Sequence, residues 1–389
     1  VSEFFLGAAD WASAICYAGA AVGCLYALFA AWAARGFVRS GLVAPAVNHP
    51  AVTILKPLHG AEPDLCANLV RFCDQDYTGS VQIVFGVDDP ADPAVEVARR
   101  AIAAFPDRDL KLVVNSRRHG TNRKVSNLIN MLAEARHEIL VISDSDIVVG
   151  RDYLKSVVGG LDEPSVGAVT CLYRGTATSG GWAHFAAAAI DYHFLPSVLV
   201  GLKLGLAAPC FGATIAISKT TLAMIGGLES VVDQLADDYA LGAQVRRTGL
   251  TVAISATSVT HVCAQRSAGD LFRHEMRWAR TIRSVDPFGF VGLAVTHALP
   301  LALLGMMLGG ITPAGIMVVA ALACRFMLQV ELDRAFHLRD DVFWPGPFRD
   351  VVSFIVFVAS FFGRAIEWRG HRYVVQPDSS LLYFGKIET

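Results

Sequence analysis

Two stretches of this chain carry no Asp, Glu, Lys or Arg, and they constrain its fold more than anything else in it. One is Trp11 to Ala34, bounded by Asp10 and Arg35, and the other is Pro287 to Cys324, bounded by Asp286 and Arg325. A helix of about 20 apolar residues matches the ~30 Å hydrocarbon core of a bilayer. The first stretch predicts one span, with residues 1–40 as an amino-terminal transmembrane anchor. The second is too long for one span and predicts two, with a turn at Gly309-Gly310-Ile311-Thr312-Pro313. A last apolar segment, Val351 to Gly363, is confined between Asp350 and Arg364 and is shorter than a span needs, so residues 343–366 read as either interfacial or spanning. The carboxyl-terminal membrane region is thus 285–366, followed by a polar tail at 367–389. Glu3 and Asp10 do not make the basic amino end of a secretory signal. Arg35 and Arg39 follow the first span, and basic residues favour the cytoplasmic side. The expected location is the inner membrane, multi-pass, with the next domain in the cytoplasm.

Only 17% of the residues are charged and 53% are hydrophobic, against about 25% charged in a soluble globular protein. A formal net charge of -2 offers no electrostatic footprint for nucleic acid. The eight cysteines form no C-x-x-C pair, and they read as small buried hydrophobes in a reducing compartment rather than as a zinc site.

Between the apolar regions, residues 51–284 have the texture of an α/β domain. Val52 to Pro57, Val81 to Val87 and Leu110 to Val114 read as strands, each followed by a helical stretch. Asn122 is placed to cap a helix running toward Ala135, ahead of the strand at Ile139. Alternating strands and helices of this length mean βαβ units and a mainly parallel sheet. No G-x-G-x-x-G follows the first strand, which disfavours a dinucleotide fold of the usual kind. Val166 to Tyr173, Ala213 to Ser218 and Thr251 to Ile254 read as further strands, with a long helical and loop region at Trp182 to Leu206. Arg266 to Arg283 is basic and amphipathic, suited to a membrane interface.

Chemistry enters at Ile139 to Val149, ILVISDSDIVV. A buried parallel strand delivers ligand-binding groups at its carboxyl end, so Asp144 and Asp146 are expected in a crevice, gripping a divalent cation. Two other acidic pairs stand at ends of elements, Asp88/Asp89 and Asp237/Asp238. Together the three suggest a nucleoside-diphosphate substrate, a metal held by carboxylates and phosphates, and a carboxylate left for proton transfer. Lys124, at the start of the helix before the metal strand, is placed to meet phosphate. His59, His119 and His261 lack ligand spacing and read as structural or substrate-lining.

Seven ordered blocks resemble the ceramide glucosyltransferase family and its bacterial hopanoid-biosynthesis relatives, within the processive-type group of inverting glycosyltransferases. They are Leu55 to Tyr77, Val84 to Ala94, Asn122 to Met131, Ile142 to Ile147, Phe211 to Lys219, Asp233 to Gly242 and Arg273 to Arg283. The resemblance implies a glycosyltransferase A fold (a Rossmann-like mixed sheet) between the amino-terminal helix and the carboxyl-terminal membrane region. It also implies a UDP-sugar donor, Mg²⁺ or Mn²⁺, and a membrane lipid acceptor. The family's uracil or ribose contact falls on Asp89, with Asp88 beside it; the metal position falls on Asp144, with Asp146 completing a D-x-D; the catalytic base falls on Asp238. The closing motif, usually Gln or Arg, two residues, then Arg-Trp, is met by Arg277 and Trp278, but His274 stands in its first place.

The expected reaction follows from chemistry. An acceptor hydroxyl is a poor nucleophile at neutral pH, so a carboxylate within about 3 Å must take its proton as the new bond forms; Asp238 is the candidate. The leaving UDP gains charge, which the cation at Asp144 and Asp146 would stabilise with help from Lys124 or Arg277. Trp278 would wall the sugar or the lipid entrance. The expected function is transfer of glucose or N-acetylglucosamine from a UDP-sugar to a lipid hydroxyl, ceramide or a hopanoid polyol. The competing readings are a metal-dependent sugar-phosphate or nucleotidyl transferase, a processive polysaccharide synthase and a non-catalytic membrane scaffold.

Overall fold

The structure, a computed structural model, describes residues 2–39, 46, 48–178, 180–309, 311–338 and 346–386. The chain divides into two compact units, each discontinuous in sequence: 1–40, 184–207 and 265–366 in one, 41–183, 208–264 and 367–389 in the other.

The second unit is the α/β one. Its strands in chain order are β1 (Val52–Pro57), β2 (Val81–Val87), β3 (Asp109–Val114), β4 (Ile139–Ile142), β5 (Ile147–Val148), β6 (Val166–Thr170), β7 (Tyr173–Ala177), β8 (Ile215–Ser218), β9 (Thr251–Ile254) and β10 (Val259–Cys263). Seven form one sheet in the order β3-β2-β1-β4-β8-β6-β9. β3, β2, β1 and β4 run parallel, whereas β8 is antiparallel to both β4 and β6. The sheet is therefore mixed, as expected. β1 is buried at every position, the pattern of a central strand covered on both faces. On one face lies the helix Arg123–Leu132, whose Val125, Leu128 and Met131 join Leu55, Val84 and Leu140 in the core. Gly86 admits this helix, because a Cβ there would sit 2.2 Å from Met131 Sδ. β5, β10 and β7 form a second, small sheet. Asp144 to Asp146 thus occupy the link between the two sheets.

After β11 (Ala365–Trp368), the segment read as a polar tail is instead a β-hairpin, β12 (His371–Val375) with β13 (Leu381–Lys386). It buries Tyr373, Val375 and Leu381 and is stitched to the α/β unit by Leu235 N donating to Ser379 O at 3.0 Å and Leu381 N to Asp233 O at 2.8 Å. Residues 387–389 lie outside the described ones.

The other unit is helical. Three of its helices are long and apolar enough to cross a bilayer: Asp10–Phe37, Gly181–Lys203 and Gly315–Phe336. The first was expected. The second lies in the region read as helix and loop, and a π turn at Ile190–Phe194 interrupts it. The predicted pair within 287–324 takes another form. Pro287–Thr296 and Ala298–Gly309 meet at a 68° bend, and the next helix runs on to Phe336, past Arg325, Glu331 and Asp333. Those charges end the apolar run in sequence yet are paired in space: Glu331 with Arg35 at 2.5 Å and Asp333 with Tyr192 Oη at 2.7 Å. Gly310, within the expected turn, and residues 343–345 lie outside the described ones. The ambiguous last segment is a 15-residue helix, Gly346–Ser360. The amino-terminal helix packs closely because its contacts are small: a Cβ on Gly23 would lie 2.7 Å from Ala298 Cβ, and Ser13 Oγ donates to Gly305 O at 3.2 Å. Close backbone approach of this kind is how helices associate in lipid.

Candidate active site

The centre of the α/β unit is the turn after β4. Ser143 N donates to Leu55 O at 3.2 Å and Asp144 N to Gly212 O at 3.3 Å, which ties the turn to β1 and to the segment before β8. Lys56, fully buried at the end of β1, donates to the main-chain oxygen of Asp144. Burial holds its ammonium down at about 7, against the pull of Asp146, Asp144 and Glu62. Asp146 Oδ2 lies 3.6 Å from His261 Nδ1 on β10. The side chains of Asp144 and Asp146 are each about a third accessible, 33% and 35%, so both carboxylates retain open oxygen positions.

Lys124 is engaged by carboxylates. Asn122 caps its helix, accepting from Val125 N at 3.2 Å and donating to Gln234 O at 2.8 Å. This turns Lys124 inward, where its Nζ stands 2.7 Å from Asp144 Oδ1 and 3.3 Å from Asp237 Oδ2. Burial alone would lower its pKa, but Asp144, Asp237 and Asp238 outweigh burial and raise it, so the ammonium is permanently charged. Asp237 and Asp238 open the helix Asp237–Arg247, where a helix dipole favours carboxylates. Asp238 Oδ2 accepts from Gly212 N at 2.7 Å and Oδ1 from Tyr239 N at 2.8 Å. Burial, then Asp237, pushes its carboxyl up to about 6, while Lys124 and the Gly212 N–H pull the other way. Gly212 is the pivot: a Cβ there would lie 2.9 Å from Lys124 Nζ, 3.0 Å from Asp144 Oδ2 and 3.4 Å from Asp238 Oδ2. Asp144, Asp238 and Lys124 thus surround one point that a side chain would fill, and Asp237 meets Lys124 beside it.

The acidic pair after β2 divides. Asp88 is buried and ion-paired, Oδ2 lying 2.9 Å from Arg118 and 3.0 Å from Arg123; the two guanidiniums outweigh burial and hold it below the usual carboxylate range. Asp89 is exposed, and its Oδ1 accepts from Ala91 N at 2.9 Å. Arg123 also meets His371 of the hairpin, so residues far apart in sequence frame this corner. His59, Asp88 and Asp92 bring ligand atoms within 4.8 Å of one another. Its carboxylates are already engaged, since Asp88 pairs with two arginines and Asp92 accepts from Gly60 N and Ala94 N. Arg277 and Trp278 belong to the helical unit, on Ala268–Val285. There the Trp278 ring lies 4.8 Å from that of His274 and 6.2 Å from that of Phe194.

Sequence reasoning missed Lys56, Glu62, Gly212, Arg118 and Arg123. Glu62 is half-buried near Ser145 and Asp146, its Oε2 enclosed without a hydrogen-bond partner among the described residues. Burial and Asp146 raise its carboxyl to about 7. A lysine ending an otherwise apolar strand, VTILKP, was the available signal for Lys56.

The donor set fits a hard divalent cation. Asp144 and Asp146 offer accessible oxygens, the kind Mg²⁺ and Mn²⁺ take, and Gly212 leaves space at Asp144 Oδ2. Among the described residues, carboxylates also outnumber the cations acting on them here: Asp144, Asp146, Asp237, Asp238 and Glu62 against Lys56, Lys124 and Arg369.

Likeness to known proteins runs along most of the chain. The model described as glycosyl transferase family 21 matches residues 15–381. Ceramide glucosyltransferase 1 of Caenorhabditis elegans is 26% identical over 361 residues, covering 89% of this chain and 75% of that protein. Ceramide glucosyltransferase of Candida albicans is 32% identical over a shorter stretch of 125 residues, 29% of this chain and 23% of the relative. Among solved structures, the mannosyltransferase PcManGT of Pyrobaculum calidifontis, in complex with GDP-Man and Mn²⁺, superposes with a TM-score of 0.55 at 23% identity, covering 83% of this chain and 97% of that one. This last is a likeness of fold.

Proposed function

The chain belongs to glycosyl transferase family 21, an inverting, UDP-sugar-dependent hexosyltransferase of the ceramide-glucosyltransferase kind, and from that premise we propose how its residues carry the reaction. The observation that bears most weight is the convergence of Asp144, Asp237 and Asp238 on Lys124 beside Gly212. The mixed sheet is read as a glycosyltransferase A fold, because the parallel half β3-β2-β1-β4 ends at the D-S-D turn.

Asp144 and Asp146 would hold Mg²⁺ or Mn²⁺, which when bound supplies positive charge to the diphosphate. Lys124 orients Asp144 and Asp237. Asp238 is the base: two backbone N–H groups fix its carboxylate, and a pKa near 6 leaves it deprotonated at neutral pH yet basic enough to take a hydroxyl proton. One displacement then converts an α-linked UDP-sugar to a β-glycoside. Asp89, exposed beside the buried Asp88, is free to meet uracil or ribose, while Asp88 fixes Arg118 and Arg123 at that corner. Arg277 and Trp278 are assigned to the leaving diphosphate and to the sugar or lipid entrance. The α/β unit is assigned to the cytoplasmic side of the inner membrane by Arg35 and Arg39.

The acceptor is a membrane lipid hydroxyl, ceramide or a hopanoid polyol, and the hexose is glucose or N-acetylglucosamine. Purified protein incubated with each UDP-sugar and each lipid, with mass spectrometry of the lipid extract, is expected to show one glycosylated lipid. UDP release without any glycolipid would overturn the reading.

A further inference from the structure

Along the helical unit, arginines meet carboxylates: Arg35 and Arg334 meet Glu331, Arg273 meets Asp270, Arg325 meets Asp350 and Arg349 meets Glu275. Arg280, Arg283 and Arg364 depart from that pattern and have no ion-pair partner among the described residues. The acidic residues near them in sequence are used elsewhere. Glu275 serves Arg349, Glu367 pairs with Arg372 at 3.2 Å, and Asp286 caps the next helix by accepting from Gly289 N at 2.8 Å.

The end of the helix Gly346–Ser360 brings the three together. Phe361 N and Phe362 N still donate back to Val358 O and Ala359 O. Gly363, at φ 84°, then turns the chain out of the helix, and carbonyls at such an end have no helical donor. Arg280 Nη2 donates to Phe362 O at 2.7 Å and its Nη1 to Ala365 O, while Arg283 Nη2 donates to Gly363 O at 2.8 Å. Arg364 follows directly, exposed. Burial and then Arg283 lower the pKa of Arg280, and burial and then Arg364 lower that of Arg283; no carboxylate acts on either to raise it. Capping explains part of this charge. Ala268–Val285 and Gly346–Ser360 end side by side, and two helix carboxyl ends present about −0.5 each. That leaves a surplus of about two positive charges. Apolar surface adjoins it: the Arg283 guanidinium stands 5.9 Å from the Phe361 ring centre, Phe361 packs on Phe290 at 5.5 Å, and close by Phe288 and Phe362 are 91% and 72% exposed.

We propose that Arg280, Arg283 and Arg364 form a site for the phosphate of an anionic lipid headgroup, with Phe288 and Phe362 against its acyl chains. The surplus charge decides the class, because a phosphodiester brings negative charge and oxygens that guanidinium groups grip well. The phenylalanines decide the source. A soluble phosphate would leave them in water, whereas a lipid covers them, and basic groups among exposed apolar ones suit the boundary of headgroups and acyl chains. The lipid held here is not consumed, so the inference goes beyond the acceptor reading and does not depend on it.

The test uses the full chain in detergent, titrated with phosphatidylglycerol, with phosphatidylcholine of the same acyl chains and with glycerol 3-phosphate, and read by native mass spectrometry. Wild type is expected to retain phosphatidylglycerol about tenfold over either of the others. Arg283→Gln and Arg364→Gln are each expected to weaken that retention about fivefold, the ~1 kcal/mol of one basic residue at an anionic surface, with UDP binding unchanged. Arg364 makes no side-chain hydrogen bond among the described residues, so its variant reads the site without disturbing the helix end. Arg273→Gln, which removes a charge already matched to Asp270, is expected to change nothing. Equal retention of the two phospholipids, wild-type affinity in Arg364→Gln and Arg283→Gln, or an equal loss in Arg273→Gln would overturn the inference. Glycerol 3-phosphate bound as tightly as phosphatidylglycerol would overturn the lipid assignment in favour of a soluble phosphate.

Discussion

Replacing Asp238 with asparagine separates its role in catalysis from its role in the fold. A carboxyl that titrates at about 6 rather than near its ordinary 3.8 makes the ionised native state less stable by ~3 kcal/mol. The sign follows from proton binding. Between those two pH values the folded chain holds more protons at this site than the unfolded chain, so the Asp238 contribution falls as pH rises and is flat above about 6. Asparagine does not titrate, but it offers one acceptor oxygen where two carboxylate oxygens accept from Gly212 N and Tyr239 N, so one of those N–H groups faces an NH₂ and loses its partner. Asp238→Asn is therefore expected to start below wild type near pH 4, by about 1–3 kcal/mol for the stranded N–H, and to gain on it by ~3 kcal/mol between about pH 4 and 6. Over the same comparison kcat is expected to fall about 10²- to 10⁴-fold, the usual worth of a general base. The measurements are unfolding in detergent with EDTA from about pH 4.5 to 8, and glycolipid formation at saturating substrates. A stability difference between variant and wild type that stays constant from about pH 4.5 to 7.5 would refute the electrostatic argument. Full turnover would place the base elsewhere, with Asp237 the next residue to test.

Asp144→Ala is expected to abolish metal-dependent UDP binding in a calorimetric titration with Mn²⁺ or Mg²⁺, and Asp146→Ala to weaken it less; wild-type binding in the Asp144 variant would sink the metal assignment. Arg349→Ala strands the buried Glu275 carboxylate and is expected to destabilise the helical unit by about 3–5 kcal/mol. Adding Glu275→Gln should recover most of the lowered thermal midpoint, and no recovery would mean the pair is not what holds Gly346–Ser360. A reporter fused after His49 should give a cytoplasmic signal, and an external one would end the topology argued from Arg35 and Arg39.

The patterns that local chemistry writes into a chain were legible in this sequence. The uncharged run around Trp11 to Ala34 predicted its helix, because lipid tolerates no unpaired charge. The buried strand before Asp144 was readable from its unbroken apolar residues, and the cap at Asn122 from its position before a helix. Tertiary structure alone decided the rest. The sequence placed Lys124 only at the start of its helix; Asp144 approaches it from the turn after β4 and Asp237 from a helix far along the chain, and together they make it the cation of a carboxylate cluster. Gly212 was one glycine among 34 until β4 and Asp237–Arg247 closed around it. Arg325 and Asp350 ended apolar runs in sequence, yet they meet in space with His193. Hydropathy and capping act over a few residues and leave a local trace, whereas the field at a buried carboxylate is the sum over whatever charges the fold brings within a few ångströms.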